Sequence, residues 1–394
     1  MSSGDLKHRV LEIVDELGDE LLQLSRALHA NPELAFEERA ACALLVDAVR
    51  GAGLEVETPA HGLETAFRSD FGGGEGACVA LLAEYDALPE IGHACGHNLI
   101  ATASVGAGLA LARLAEELPG RVRLLGTPAE ERGGGKELMA RAGALDGVDA
   151  ALMMHPASAN LETMPSLCVA ELEVRYAGRA AHASATPEQG INALDAMVIA
   201  YAAVAALRQH IRQTERIHGI ITEGGLAPNI VPERSVGRFY VRAADSSALA
   251  VLKERVEGCF RAGAEATGAT LELEWPAVEY LDLRFNAPLA AAFRRNAESL
   301  GREFTPLDEI PSSFRGSTDM GNVSHRVPSI HPMLAAAPPG VVIHHADFAK
   351  WAGSEMGDAA ALDGARALAM TALDFLSQEE LRRDARRSFE EAEP

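Results

Sequence analysis

An unbroken apolar run, Cys78-Val-Ala-Leu-Leu-Ala83, is followed closely by Glu84, Asp86, His93, Cys95 and His97. A run of this kind suits a strand buried on both faces, and such strands belong to parallel sheets covered by helices. Ligands of those sheets gather at the carboxyl edge, where the strands end. The edge here delivers two acids and then His93, Cys95 and His97 at alternate positions. In an extended segment alternate side chains point to one side, so all three could face a single ion. Imidazole and thiolate are zinc-type ligands, and carboxylates can complete such a shell. A lone Cys or His would read as a buried structural residue. Five candidate groups in the fifteen residues from Glu84 to Asn98 read instead as half of a metal site.

Two later runs repeat the arrangement. Val122-Arg-Leu-Leu-Gly126 leads into Thr127-Pro-Ala-Glu-Glu-Arg-Gly-Gly-Gly135, which places Glu130 and Glu131 at a strand end among glycines. Neighbouring side chains diverge, so one carboxylate can bind metal while the other faces the attacking water. Burial beside a second carboxylate raises a carboxyl pKa toward the range a general base needs. The third run, Ala150-Ala-Leu-Met-Met154, ends at His155-Pro156. Alone, His155 would be a core histidine. As the third strand end in succession to present a ligand type, it joins the site.

The rest of the chain bounds the possibilities. At 394 residues the chain exceeds one ordinary core, so two domains are expected. A net charge of −22 argues against nucleic acid as a partner, which needs clustered Lys and Arg. No apolar run approaches the roughly 20 residues of a membrane span, and Met1 to His8 has no apolar signal core. The expected location is the cytoplasm, without a membrane partner. Five cysteines without framework spacing do not suggest a disulfide scaffold. Residues 5–50 read as helix, short loop and helix, broken at Asn31-Pro32. Ile100 to Leu118 reads as an alanine-rich helix. Its Gly106-Ala-Gly108 lacks the third glycine and the preceding strand of a dinucleotide fingerprint, which removes a nicotinamide oxidoreductase from consideration.

Taken in order, Leu28-His-Ala-Asn-Pro-Glu-Leu34, Glu84 to Asn98, Pro128-Ala-Glu-Glu131, His155, Gly178-Arg-Ala-Ala-His-Ala183, Asn229-Ile-Val-Pro-Glu233 and His344-His-Ala-Asp-Phe348 carry a resemblance. The chain resembles the aminoacylase/carboxypeptidase family of co-catalytic metallohydrolases, from about Leu28 to Leu376. Within it the chain is most similar to the amidohydrolase branch, which includes hippurate, auxin-conjugate and aminobenzoyl-glutamate hydrolases and a β-alanyl-lysine dipeptidase. The wording from Glu84 to Asn98 looks most like the dipeptidase. The resemblance implies two divalent metal ions, zinc first and manganese second, held by Cys95, His97, Glu131, His155 and His344. It makes Glu130 the general base and Asp86 the acid that orients the site. Glu84, where relatives often carry Asp or His, is not counted as a ligand. Asn98 and Thr127 stand where relatives often have Asp and Gln. His344 and His345 are adjacent, and alignment on Phe348 favours His344.

From Leu167 the pattern changes to an alternating strand, Cys168 to Tyr176, then helix 192–211, strands 217–221 and 235–242, helix 246–264 and strand 269–275. This β-α-β-β-α-β order is that of a ferredoxin-like unit. The expected architecture is α/β. A mainly parallel sheet with helices on both faces forms the catalytic domain (1–167 and 282–394), interrupted by a ferredoxin-like α+β domain (168–281). The resemblance implies that this insert is a lid that also pairs two subunits, and that His182 and Asn229 contact substrate and oxyanion. Without the resemblance His182 would read as a surface-loop histidine. Helices are expected over 288–300 and 358–376, a polar loop over 312–321 at the substrate pocket, and a frayed or solvated tail from Ser377. The expected activity is metal-dependent hydrolysis of the amide bond in a small N-acyl amino acid or dipeptide. Its rivals are an aminobenzoyl-glutamate or N-acetyl amino acid substrate, and a non-catalytic metal-binding protein. Glu130 beside Glu131 speaks against the last, because holding metal does not require a base.

Overall fold

A computed structural model describes residues 3–74, 76–310 and 316–392. Its elements in chain order are α1 (Ser3–Ala30), α2 (Arg39–Gly51), β1 (Phe67–Gly72), β2 (Cys78–Ala83), α3 (His97–Ala112), β3 (Arg121–Gly126), α4 (Gly135–Arg141), β4 (Ala150–Leu152) and β5 (His155–Ala157). There follow β6 (Cys168–Ala177), α5 (Ala193–Leu207), β7 (Arg216–Glu223), β8 (Arg234–Ala243), α6 (Ser246–Thr267) and β9 (Thr270–Glu274). The chain closes with α7 (Ala287–Glu298), α8 (Met320–Ser324), β10 (Ser329–Ile330), β11 (Met333–Ala335), α9 (Ala346–Ala352), α10 (Glu355–Ser377) and α11 (Glu379–Glu391). Two compact units result: Met1–Pro165 with Leu283–Pro394, and Ser166–Asp282.

In the first unit five strands lie in the order β1-β3-β2-β4-β10, and β5 pairs with β11 in a second, two-stranded sheet. Among the described residues only β1 runs antiparallel within the larger sheet; β2 pairs in parallel with both β3 and β4. The register sets Ala83 beside Gly126, so the segments after β2 and β3 leave the sheet side by side. Alternate residues of β2 enter different cores. Val79, Leu81 and Ala83 pack in a core with Leu21 of α1, Leu109 of α3 and Leu373 of α10. Cys78, Ala80 and Leu82 pack in another with Met139 of α4 and Val323 of α8. Burial on both faces explains why the run is continuously apolar, and it gives the α/β sheet with helices on both sides that the sequence predicts.

The second unit has its own core. Its antiparallel sheet runs β7-β8-β6-β9. Leu172, Val174 and Tyr176 of β6 and Phe239 and Val241 of β8 pack with Met197 and Val204 of α5 and Leu252, Val256 and Phe260 of α6. The alternating burial of β6 matches a sheet covered on one face only. Side-chain caps fix both helix starts: Asn192 accepts from the backbone N–H of Leu194 and Asp195, and Asp245 from that of Ala248.

Two expectations need correction. The helix expected from Ile100 to Leu118 begins at His97 and ends at Ala112, so His97 sits in its first turn. The tail is not frayed: α11 buries Leu381 and Ala385 one turn apart. Arg382 of α11 donates to the carbonyls of Phe375 (2.9 Å) and Leu376 (2.6 Å), satisfying the open end of α10. The charged residues that suggested solvation occupy the other faces of an amphipathic helix. Of the polar loop 312–321, residues 312–315 lie outside the described residues. Replacing Leu381 by Ala removes the apolar anchor of α11 and is expected to cost about 2 kcal/mol, the low end for a buried leucine because the site is near the surface. Calorimetry should record a melting temperature lower by several degrees; an unchanged one would show that α11 adds nothing to stability.

Candidate active site

The segments leaving β2 and β3 are locked together by Asp86. Its Oδ1 lies 3.1 Å from His97 Nδ1, and its Oδ2 accepts from the backbone N–H of Glu131 at 2.9 Å. The backbone carbonyl of Asp86 is a further 2.9 Å contact of His97 Nδ1. With two acceptors at Nδ1, the proton belongs there, and Nε2 is left as a lone-pair donor. Burial opposes charge on Asp86, but His97 and the Glu131 N–H outweigh it and hold the carboxyl below its ordinary range.

The approach to His97 is turned, not extended. Gly96 has φ +80°, and a Cβ there would stand 2.5 Å from Pro156 Cγ, so only glycine fits. The turn separates the three residues at alternate positions. Cys95 and His97 reach the cluster described below, whereas His93 stacks on His29 with ring centroids 6.3 Å apart. His93 is buried, and burial drops its pKa to about 3, which keeps it neutral.

Beyond β3, Ala129 takes a left-handed backbone conformation with φ +60°. Glu38, at the start of α2, holds that residue by accepting from its N–H at 2.8 Å and is itself bound by the Thr65 hydroxyl at 2.9 Å. Gly135 allows the loop to close, since a Cβ there would meet Pro128 O at 1.8 Å. The bend turns Glu130 and Glu131 toward His97 Nε2, at 3.9 and 3.8 Å. Burial, Glu84 and Glu131 lift the Glu130 carboxyl well above its ordinary range.

The remaining groups come from β5 and from the segment before α9. His155 Nε2 lies 3.4 Å from Cys95 Sγ, while its Nδ1 is 2.7 Å from the Pro156 carbonyl. His344 has φ +63° and is anchored by its N–H to Ala94 O at 2.8 Å. Its Nε2 lies 3.3 Å from Cys95 Sγ and 3.3 Å from Glu131 Oε1. His345 is not brought there; it accepts from the Asp347 N–H as the cap of α9. Donor atoms of Cys95, His97 and His155 lie within 4.8 Å of one another, as do those of Cys95, Glu131 and His344 and those of His97, Glu130 and Glu131.

These residues fit divalent metal. His97 Nε2 and Glu131 Oε1 are buried without a hydrogen-bond partner, an arrangement that is costly unless an ion satisfies them. Cys95, His97 and Glu131 each belong to two of these three triplets, so the donor groups overlap in neighbouring positions. Burial and the charge of Glu131 push the Cys95 thiol up, and only coordination to a cation would hold a thiolate there.

His182 and Asn229 both belong to the second unit. The Ala183 N–H donates to Asn229 O at 3.0 Å, which sets the two residues side by side on exposed strands of loop. His182 Nδ1 accepts from the N–H groups of Ser184 and Ala185 at 3.3 and 3.2 Å, which leaves Nε2 as the proton-bearing nitrogen.

Several residues at the site carry no signal in the sequence. Glu38 lies far from its partner Ala129 in the chain. Lys136, buried beside Glu84 and Asp319, follows the glycines after Glu131. His331 is buried with its ring centroid 5.3 Å from that of His155.

Proteins similar to this chain point the same way. The family described as "Peptidase family M20/M25/M40" matches residues 80–370. The chain is 42% identical over 397 residues to a mouse Xaa-Arg dipeptidase, covering 98% of this chain and 92% of that protein. It is 33% identical over 287 residues to one of the subunits of the Escherichia coli p-aminobenzoyl-glutamate hydrolase, covering 68% of this chain and 57% of that protein. Its fold is similar to that of a Bacillus subtilis protein described as a dinuclear metal-binding peptidase of the M20 family, with a TM-score of 0.71, 20% identity, and coverage of 92% and 99%. On the length of the family match and the near-complete alignment with the mouse relative, the chain belongs to peptidase family M20/M25/M40 and is a hydrolase of peptide and related carbon–nitrogen bonds.

Proposed function

We propose that this protein is a metal-dependent dipeptidase that cleaves small dipeptides with a basic C-terminal residue. The observation that carries the reading is the convergence of Cys95, His97, Glu131, His155 and His344 on shared positions with Glu130 alongside. The substrate class is supported by the alignment with a Xaa-Arg dipeptidase over nearly the full length of both chains. Two divalent ions, when bound, supply the Lewis acidity that polarises the scissile carbonyl and acidifies the attacking water. Zinc is the first choice because thiolate is soft, with manganese second.

Glu130, whose carboxyl burial, Glu84 and Glu131 raise above the ordinary range, accepts a proton as water adds to the carbonyl carbon. It returns that proton to the amine nitrogen as the C–N bond breaks, releasing two amino acids. Asp86 keeps His97 in one tautomer throughout. His182, through Nε2, and Asn229 would receive the oxyanion and the substrate.

The two compact units support a division into a catalytic domain, 1–167 with 282–394, and a lid, 168–281. The lid has the marks of a pairing surface: β7 is an edge strand with Ile220 64% exposed, and α5 leaves Val198 52% exposed. An apolar edge and an apolar helix face call for a partner. The homodimer is therefore read as pairing through the lids, with each His182 serving the other subunit's site. All five cysteines are free, which supports a reducing compartment such as the cytoplasm. Among the described residues no helix is long and apolar enough to cross a membrane.

A substrate panel tests the reading. Xaa-Arg and Xaa-Lys dipeptides should be cleaved at least about tenfold faster than aminobenzoyl-glutamate or N-acetyl amino acids, activity should vanish on chelation, and it should return with zinc or manganese. Full turnover by metal-free protein would end the metallohydrolase reading, and preference for aminobenzoyl-glutamate would favour the rival substrate.

The adjacent acids separate in a second experiment. Glu130→Gln should keep its metal content and fold while turnover falls about a hundredfold or more. Glu131→Gln should lose metal affinity instead. Metal loss confined to Glu130→Gln would exchange their roles.

Assembly is tested by mixing two nearly inactive variants, Glu130→Gln and His182→Ala, under subunit exchange. In a mixed dimer with shared sites, one site combines an intact Glu130 with an intact His182, so activity should reappear. Verified exchange with no recovery would place His182 in its own chain's site.

A further inference from the structure

Beside the cluster of metal-ligand type lies a second group of charges. Lys136, the second residue of α4, is 2% exposed. Its Nζ donates to Asp319 Oδ1 at 2.6 Å and forms an ion pair with Glu84 Oε1, while its backbone N–H donates to Asp319 Oδ2 at 2.8 Å. Glu84 Oε2 in turn stands 3.6 Å from His97 Nε2. One oxygen from each of Glu84, Glu130 and Asp319 lies within 4.8 Å of the others. These are three buried carboxylates in an arrangement that suits a hard divalent cation, and an ammonium already holds two of them. Glu84 and Asp319 keep Lys136 protonated against the cost of burial.

We propose that Lys136 is a positioning residue of the hydrolytic site, whose ammonium occupies a third cation position beside Glu130 and keeps a third divalent ion out of it. Lys136 orients Asp319 through two hydrogen bonds, one from its backbone and one from its side chain. It turns Glu84 so that one oxygen is neutralised and the other faces His97. Glu130 thereby stays clear of metal on this side and available to the water proton. A metal ion captured by Glu84, Asp319 and Glu130 would take the base out of action. The proposal rests on Glu130 being that base, and metal counting keeps its fate separate from that reading.

The test dialyses wild type, Lys136→Met and the charge-matched Lys136→Met/Asp319→Asn against manganese and counts ions per folded chain by elemental analysis. Turnover of a Xaa-Arg dipeptide is followed in parallel. Lys136→Met should gain one ion over wild type, whatever the wild-type count, and the double variant, with two carboxylates left, should not. In Lys136→Met, kcat should fall at least about tenfold with KM within about twofold, as expected when a base is lost and substrate binding is not. An unchanged ion count in folded Lys136→Met, or a raised KM with unchanged kcat, would overturn the proposal. If the single variant does not fold, the double variant decides. A fall in kcat at constant KM supports the positioning role, and wild-type kcat without the ammonium refutes it. A wild-type count other than two, with one ion gained in Lys136→Met, would count against the dinuclear reading alone.

Discussion

The two oxygens of Asp86 hold two different strand-end segments, one through His97 Nδ1 and the other through the Glu131 N–H. Donors from opposite sides of the cluster therefore move as one piece. The bond to His97 also selects its tautomer, and with it the nitrogen that faces inward. This carboxylate can stay charged in a buried setting because both of its oxygens are satisfied. Its position follows from the sheet, since β2 pairs with β3 and β4 in a register that brings the segments after β2 and β3 out at one level. Without that pairing, Glu130, Glu131 and His97 would belong to unrelated loops.

The centre concentrates acidic groups where they are most costly. Cys95, Glu84, Glu130 and Glu131 are gathered with one lysine nearby, and burial raises the thiol of Cys95 and the carboxyl of Glu130. Mutual repulsion of this kind is relieved by cations, so a site that binds them also stabilises its own fold. The backbone is held accordingly: Ala129 and His344, both non-glycine residues, have positive φ at the cluster. Each is fixed by a hydrogen bond from its own N–H, to the Glu38 carboxylate for Ala129 and to the Ala94 carbonyl for His344. Strain at these positions is the local cost of turning Glu130, Glu131 and His344 into the cluster.

The second unit solves a different problem. It completes its own core with α5 and α6 on one face of its sheet. What it leaves uncovered is apolar, at the edge strand β7 and on α5. His182 and Asn229 are joined by one backbone bond, and they form a small polar group on a separately folded element.

Local chemistry made the strands and the donor types readable. A run such as Cys78–Ala83 is apolar throughout because its two faces enter two cores, and Cys95, His97, Glu131 and His155 stand out because metal-ligand side chains rarely crowd successive strand ends. The same local reasoning misled at residues 93–97. Alternation predicted three donors on one side, but the Gly96 turn starts α3 at His97 and sends His93 to His29. It misled again at α11, where charge count hid the Leu381 and Ala385 stripe. Lys136 with Asp319 and Glu38 with Ala129 are pairs of distant residues with no shared local pattern. The sequence by itself determined which residue types were available, which strands would be buried and which family the ordered motifs resemble. Only the tertiary structure decided which donors meet, because convergence depends on strand register and on a few left-handed turns, and neither is encoded in the spacing of the donors themselves.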